Sequence, residues 1–170
     1  MSTDPRTGRA FIFGDNVDTD SLAPGLYMKG PIGKLAAHCL ESLDPEFARS
    51  VKPGDFVVGG ENFGMGSSRE QAAMVLRQLG AAAVIAKSFA GLFFRNCLNL
   101  GLPPLECADA RLIRAGDEIA VDAVAGRITN LTRGQTYSCV PIPAHLLEMV
   151  RDGGLLPHLA KRLKAQENVS

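Results

Sequence analysis

The sequence lacks several features that mark particular classes of protein. No apolar run approaches the roughly 18 residues that a membrane-spanning helix needs, and residues 1–9 have no apolar centre of the kind found in signal peptides. Eighteen basic and eighteen acidic side chains cancel, which disfavours a strongly basic nucleic-acid-binding protein. We therefore expect a cytoplasmic protein that binds neither membranes nor nucleic acid.

Cysteine and histidine are too scattered to indicate a metal site. None of the cysteines forms a C-x-x-C pair, and the histidines show no spacing typical of metal ligands. The residues are Cys39, Cys97, Cys107, Cys139, His38, His145 and His158. Isolated cysteines are more typical of free thiols in a reducing compartment than of a disulfide framework. We expect this chain to hold no metal of its own.

The length and composition indicate one folded domain. A chain of 170 residues is close to the roughly 150 residues of a typical domain. Apolar residues make up 46% of it, which is enough for a buried core, and no repeat or long linker divides it. We predict a single domain over residues 1–170, in which residues 151–170 form a C-terminal helical extension.

Short apolar runs alternate with helical patterns along the chain. Strands are predicted at residues 10–13, 56–58 and 83–86, with two or three more between about 118 and 140. Helices are predicted at residues 33–43, just after 44–45, and at 67–79, 88–100, 143–150 and 157–164. This alternation favours an α/β fold with a β-rich portion late in the chain.

The most informative segment is the glycine-rich loop at residues 59–71, between a predicted strand and a predicted helix. Glycine lets backbone approach a ligand closely, and a helix N-terminus attracts anions. Arg69 adds a planar fork that matches a carboxylate or phosphate. The loop is not a dinucleotide fingerprint, because Arg69 stands where a third glycine is needed, and no G-K-[ST] follows as in a P-loop.

The two serines of this loop have a purely structural interpretation as well. Ser67 with Glu70, and Ser68 with Gln71, each match the capping box that begins many helices. Two adjacent serines cannot both occupy the cap position. One of them is therefore predicted to remain available for chemistry.

Two other loops carry charged residues whose simplest interpretation is structural. Residues 14–24 contain three aspartates, but Ser21 and Tyr27 stand where a calcium-binding EF-hand loop needs glycine and glutamate. From composition alone this segment is an Asx-rich turn. Lys29, in the loop at residues 27–31, either meets an anion or lies in solvent, and composition favours solvent.

Three motifs in this order resemble the small subunits of the aconitase superfamily isomerases, in particular the 3-isopropylmalate dehydratase group. They are residues 14–20, 62–70 and 88–103, and the resemblance covers about residues 11–150. It implies a swivelling β/β/α domain like the C-terminal domain of aconitase. It also implies a partner, a larger subunit that holds a [4Fe-4S] cluster, so that this chain itself binds no cofactor.

The reaction implied by the resemblance is the interconversion of 3-isopropylmalate and 2-isopropylmalate by dehydration and rehydration, a step of leucine biosynthesis. By resemblance, Ser67 is the catalytic base and Asp20 an active-site carboxylate. Ser68 and Arg69 would bind a substrate carboxylate, and Lys29 would meet the variable arm of the substrate. Because a serine hydroxyl is a weak acid, we expect the helix N-terminus and Arg69 to stabilise its anion.

Other functions stay open at this point. Lys29 followed by Gly30 departs from the isopropylmalate pattern and from the homoaconitase pattern, in which arginine stands at the position of Lys29. A homoaconitase or 2,3-dimethylmalate dehydratase subunit is therefore an alternative. A non-catalytic module that binds an anion through the same loop is a second, and a Rossmann-type nucleotide enzyme is disfavoured by the glycine spacing.

Overall fold

A computed structural model describes residues 5–169, and its centre is a mixed sheet of seven strands. The strands are β1 (Arg6–Ile12), β2 (Phe56–Val58), β3 (Ala83–Ala86), β4 (Pro104–Glu106), β5 (Glu118–Asp122), β6 (Arg127–Asn130) and β7 (Gln135–Ser138). Their spatial order is β4-β3-β2-β1-β5-β6-β7. Strands β1 to β4 are parallel, and β5 to β7 continue antiparallel from β1.

Helices connect the parallel strands and close the C-terminal end. They are α1 (Thr19–Leu22), α2 (Ile32–Ala37), α3 (Phe47–Ser50), α4 (Gln71–Gln78), α5 (Gly91–Asn99), α6 (Ala144–Arg151) and α7 (Leu155–Glu167), with 3-10 turns at Gly25–Tyr27 and Ala110–Leu112. The predicted α/β fold with a late β-rich portion is confirmed. Within the described chain, none of the helices combines the length and apolarity that crossing a membrane requires.

The sheet separates two hydrophobic cores. Val57 of β2 packs in a cluster with residues of α2, α4 and α5. Its neighbours Phe56 and Val58 pack in a second cluster that includes Leu147 of α6 and Ile119 of β5. Alternate side chains of a strand point to opposite faces, so a strand covered on both faces must be apolar at every position. This explains why the predicted strands at 56–58 and 83–86 have the bounds observed.

The sheet curls until the ends of its two edge strands approach one another. The backbone N–H of Val140, just after β7, donates to the carbonyl of Glu106 in β4 at 2.8 Å. The Cys107 thiol lies 3.6 Å from the carbonyl of Ser138. Pairing at this point covers edge groups that would otherwise be free to pair with another chain.

The helices predicted at 33–43, 67–79 and 88–100 were too long, the one predicted at 157–164 was too short, and the capping prediction was wrong. Helix α4 begins at Gln71, four residues after Ser67, and its N-cap Glu70 makes no side-chain capping hydrogen bond. Helix α2 ends at Ala37 because Leu40 adopts a φ of +58° and donates its N–H to the carbonyl of Ser21. Helix propensity cannot predict either end, since both depend on contacts with distant segments.

Strand β4 was not predicted, because Pro103 precedes it and Pro104 is its first residue, and proline disfavours a strand interior. It lies at the edge of the sheet, where Pro104 pairs with Val84. Helix α3 starts two residues later than the Asp44-Pro45 signal suggested, and Asp44 instead accepts a hydrogen bond from the Glu46 N–H at 3.0 Å.

Asp117, a buried carboxylate beside β5, gives stability an expected pH dependence. Burial acts to raise its pKa, but hydrogen bonds from Asn130, the Arg114 N–H and Arg133 lower the pKa overall. Because the pKa is lowered in the folded state, ionised Asp117 stabilises the fold at pH values above the ordinary carboxyl pKa of about 4. This stabilisation is lost as the pH falls through the folded-state pKa.

We expect Asp117→Asn to lower the urea midpoint at pH 6 and to reduce the fall of that midpoint on acidification. Urea titrations of the wild type and the variant from pH 6 to 2.5 test this. The same pH dependence of the urea midpoint in both proteins would contradict it.

Candidate active site

Apart from Lys29, the predicted site residues lie in two segments that leave the same edge of the sheet. Strands β1 and β2 are parallel neighbours, with Ile12 opposite Val58, so the loops at residues 14–20 and 59–69 both follow carboxyl ends. The Phe13 N–H continues the pairing by donating to the Val58 carbonyl at 2.7 Å. The carboxyl edge of parallel strands is where ligands commonly bind in such sheets.

Backbone hydrogen bonds hold these two loops side by side. They run from Asn16 to Glu61 at 2.8 Å, from Gly64 to Val17 at 2.7 Å and from Thr19 to Met65 at 2.9 Å. The register that they set brings residues 19–20 next to residues 67–69, which are almost fifty positions away in sequence. The first and second motifs therefore form one site.

The glycines of the second loop are required by close packing. Gly64 has a φ of +85°, and a Cβ added there would lie 2.1 Å from Cγ of Phe93 in α5. Gly66 has a φ of +104°, and its Cβ would lie 3.1 Å from Oγ1 of Thr19. Backbone with positive φ favours glycine. The loop thus lies directly on α5 and α1, which sets the position of Ser67.

The hydroxyl of Ser67 contacts that of Thr19. The two oxygen atoms are 3.2 Å apart and either can donate. Thr19 is buried, whereas Ser67 is exposed, so Thr19 is the fixed member of the pair. The predicted support from a helix N-terminus was wrong, because Ser67 lies four residues before α4. The contact with Thr19 was not predicted.

Arg69 is held by one end of its guanidinium. Its Nη1 forms an ion pair with Asp20 and donates to the carbonyl of Ala23 at 3.0 Å. The Asp20 side chain is 71% exposed and that of Arg69 only 26%. Among the described residues, Nη2 and Nε of Arg69 have no hydrogen-bond acceptor, so they stay available for a carboxylate. Arg69 was expected to stabilise the anion of Ser67, and among residues 5–169 its side chain makes no hydrogen bond to Ser67.

Ser68 and Lys29 are both exposed. Within the part of the chain that the structure describes, neither side chain makes a hydrogen bond or ion pair. Lys29 follows the 3-10 turn at Gly25–Tyr27, where the Tyr27 ring stacks on His38 with centroids 3.6 Å apart. This chain alone does not join Lys29 to Ser67.

A charged network beside the site was not predicted. Arg111, which follows β4, donates to both oxygens of Asp15 at 3.1 and 3.3 Å, and Lys87 pairs with Glu61 at 3.2 Å. The backbone N–H of Glu61 donates to Asp15 at 2.7 Å. That hydrogen bond, with a smaller contribution from Arg111, lowers the pKa of Asp15. No sequence signal links Arg111 to a loop 96 residues away.

The first motif is also the Asx-rich turn that its composition indicated. The carboxylate of Asp18 accepts a hydrogen bond from the Ser21 N–H at 2.7 Å and caps α1. Asp18 therefore has a structural role next to Thr19 and Asp20. The motif combines turn formation with the presentation of site residues.

The thiols of this chain do not fit an iron–sulfur cluster. Cys39 and Cys97 lie in one hydrophobic core, and Cys107 and Cys139 lie in the other. Burial raises the pKa of Cys139 to about 11, which favours the protonated thiol over the thiolate that binds metal. Residues 5–169 include no group of three or more His, Cys, Asp or Glu arranged to hold a metal ion.

Comparison with known proteins gives consistent similarities. The profile of the family described as the aconitase C-terminal domain matches residues 41–110. A 3-isopropylmalate dehydratase small subunit 1 of Archaeoglobus fulgidus is 50% identical over 158 residues, covering 92% of this chain and 98% of that protein. The small subunit of Moorella thermoacetica is 46% identical over 159 residues, covering 92% and 96%.

A solved structure shows the same fold. The crystal structure of 3-isopropylmalate dehydratase from Methanocaldococcus jannaschii superposes with a TM-score of 0.92 at 40% sequence identity. The match covers 97% of this chain and 99% of that one. The architecture described above is therefore the architecture of that protein.

Proposed function

The chain belongs to the family of 3-isopropylmalate dehydratase small subunits, and from this membership we propose how its residues serve the reaction. The protein is the small subunit of a hydro-lyase with an aconitase-type domain. The observation that carries this conclusion is the 46–50% identity to two such subunits over more than nine tenths of both lengths. We further propose that residues 1–170 act as one domain, with residues 151–170, which include α7, as its C-terminal helical extension.

The reaction proposed for the complete enzyme removes water from 3-isopropylmalate and adds it back to give 2-isopropylmalate. A proton must leave the carbon beside a carboxylate and later return. We assign this proton transfer to Ser67, whose oxygen would accept the proton as the alkoxide and return it as the hydroxyl. The contact with Thr19 supports the assignment, because a hydrogen bond shared with the hydroxyl of a buried threonine limits the rotation of the serine hydroxyl.

Arg69 and Ser68 are proposed to bind a carboxylate of the substrate. The ion pair with Asp20 and the bond to the Ala23 carbonyl occupy Nη1. The remaining guanidinium edge can then donate two parallel N–H hydrogen bonds to the two oxygens of a carboxylate. In this arrangement Asp20 orients Arg69, and Ser68 adds one hydroxyl donor. Lys29, on the neighbouring loop, is proposed to meet the variable arm of the substrate.

The side chains of the candidate site are exposed on the surface of this chain, which supports a role for a second subunit. The Asp20 side chain is 71% exposed, and Ser67, Ser68 and Lys29 are exposed as well. Aconitase-family dehydratases depend on an iron–sulfur cluster, and the buried thiols of this chain do not fit one. We propose that the large subunit of the dehydratase holds the [4Fe-4S] cluster and closes the site.

Anaerobic turnover with the large subunit tests the proposed function. The substrates are isopropylmalate, homocitrate, citrate and 2,3-dimethylmalate, each with the wild type and with Lys29→Ala. Selective turnover of isopropylmalate supports the function, and selective turnover of another acid reassigns the substrate. Absence of turnover with every acid, given an intact cluster, would favour a non-catalytic anion-binding module.

The iron content of the isolated small subunit tests the placement of the cluster. Iron bound at one cluster per isolated small subunit would contradict the proposal that the large subunit holds it.

Arg69→Lys tests the carboxylate contact. Lysine keeps the charge but loses the bidentate fork, and a lost charge-assisted hydrogen bond costs about 1.5–3 kcal/mol, or roughly 10- to 150-fold. We expect this loss mainly as a higher KM in steady-state kinetics of the reconstituted enzyme. Arg49→Lys is the control, since Arg49 forms only an exposed pair with Glu46. Equal effects of the two substitutions would remove Arg69 from substrate binding.

A further inference from the structure

A cavity lies at the edge of the sheet opposite the candidate active site. It has a volume of about 580 Å³, within the usual range of roughly 300–1,000 Å³ for small-molecule sites. Phe56 and Ala83, which begin β2 and β3, form part of its lining, and Leu147 of α6 forms another part. These are the amino ends of the parallel strands, whereas Ser67 and Arg69 follow the carboxyl ends. A molecule bound here would not contact the candidate active site.

Most of the residues that line the cavity are apolar. Besides Phe56, Ala83 and Leu147, they include Leu105, Val121 and Val150. Phe56 and Leu105 belong to the second hydrophobic core and are at most 1% exposed. Protein interiors are normally close-packed, with few voids larger than a water molecule. A cavity that reaches core side chains is therefore suited to the hydrocarbon part of a ligand.

The charged residues of the same cavity are predominantly cationic. Arg6 of β1 and Arg151 of α6 line it together with one acid, Asp122. One oxygen of Asp122 already accepts hydrogen bonds from the N–H groups of Val124 and Ala125 in the β5–β6 turn. Among the described residues, the side chains of Arg6 and Arg151 make neither an ion pair nor a hydrogen bond. Two arginines thus line a cavity whose other residues are mostly apolar, a combination that matches a carboxylate with an aliphatic tail.

We propose that this cavity binds a small aliphatic monocarboxylate, with the tail against Phe56, Ala83 and Leu147 and the carboxylate on Arg6 and Arg151. The site is separate from the dehydratase site and belongs to this chain alone. Binding therefore does not require the large subunit or a cluster. If the cavity does not bind a monocarboxylate, the proposed dehydratase function is unaffected.

The test is titration of the isolated full-length chain with hexanoate, followed by backbone amide NMR shifts and calorimetry. 1-Hexanol has the tail without the charge, and acetate has the charge without the tail. We expect saturable hexanoate binding with shifts at Ala83, Val121 and Leu147. Arg151→Gln and Arg6→Gln should each weaken it about tenfold or more. Arg114→Gln is the matched control, since Arg114 is exposed and is not part of the cavity lining.

Three results would overturn the proposal. These are equal binding of hexanol and hexanoate, shifts around Ser67 and Arg69 in place of the cavity residues, and no saturation by hexanoate at millimolar concentration. Arg151 also ends α6, where a cation favours the helix. Thermal melting of each variant without ligand therefore accompanies the titrations. A higher Kd for hexanoate in a variant with an unchanged melting temperature supports direct contact between the arginine and the carboxylate.

Discussion

Ser67→Ala is expected to lower kcat of the reconstituted dehydratase by roughly 10²- to 10⁴-fold, the usual contribution of a positioned acid–base group. The substitution removes the only side-chain oxygen at this position and leaves the buried Thr19 hydroxyl without its partner. KM is expected to change little, because the carboxylate contacts are assigned to Arg69 and Ser68. Steady-state kinetics with isopropylmalate measures both parameters.

The matched control for this experiment is Ser42→Ala. Ser42 is exposed, and its hydroxyl contacts only that of Ser21 at 3.4 Å. The Ser42→Ala substitution should leave kcat, KM and subunit assembly unchanged. If Ser67→Ala retains most of the wild-type kcat, Ser67 is not the proton-transfer group. A loss of assembly with the large subunit would instead assign Ser67 a structural role.

Gly64→Ala is expected to destabilise the protein by about 2–4 kcal/mol. The new Cβ would lie 2.1 Å from the Phe93 ring, and overpacking of this kind costs about 1–3 kcal/mol. The φ of +85° adds about 1 kcal/mol for a residue with a side chain. Urea unfolding of the small subunit measures the change.

Relief of this clash requires the loop to move away from α5, which also displaces Ser67. We therefore expect Gly64→Ala to lower kcat even at temperatures where the protein stays folded. Gly91→Ala is the control, because a Cβ at Gly91 meets no atom within 4 Å and φ is not positive there. A Gly64→Ala protein with wild-type stability would show that the loop repacks without cost.

Much of this protein could be predicted from its sequence. The strands at 56–58 and 83–86 are short runs in which every residue is apolar. This pattern predicts a strand that is covered on both faces, and the structure confirms the bounds of both strands. The family was identified from three ordered motifs and is confirmed by the relatives. The roles of Ser67, Asp20, Ser68, Arg69 and Lys29 remain predictions.

The sequence alone therefore determined the layer architecture, the family and the identity of the candidate site residues, since these depend on local patterns. The tertiary structure decided how those residues meet. The parallel pairing of β1 and β2 sets the register that joins Thr19 to Ser67 and Asp20 to Arg69. The tertiary structure also places the start of α4 at Gln71 and brings Arg111, which follows β4, to Asp15. Each of these contacts joins segments distant in sequence, so no local propensity or spacing specifies them.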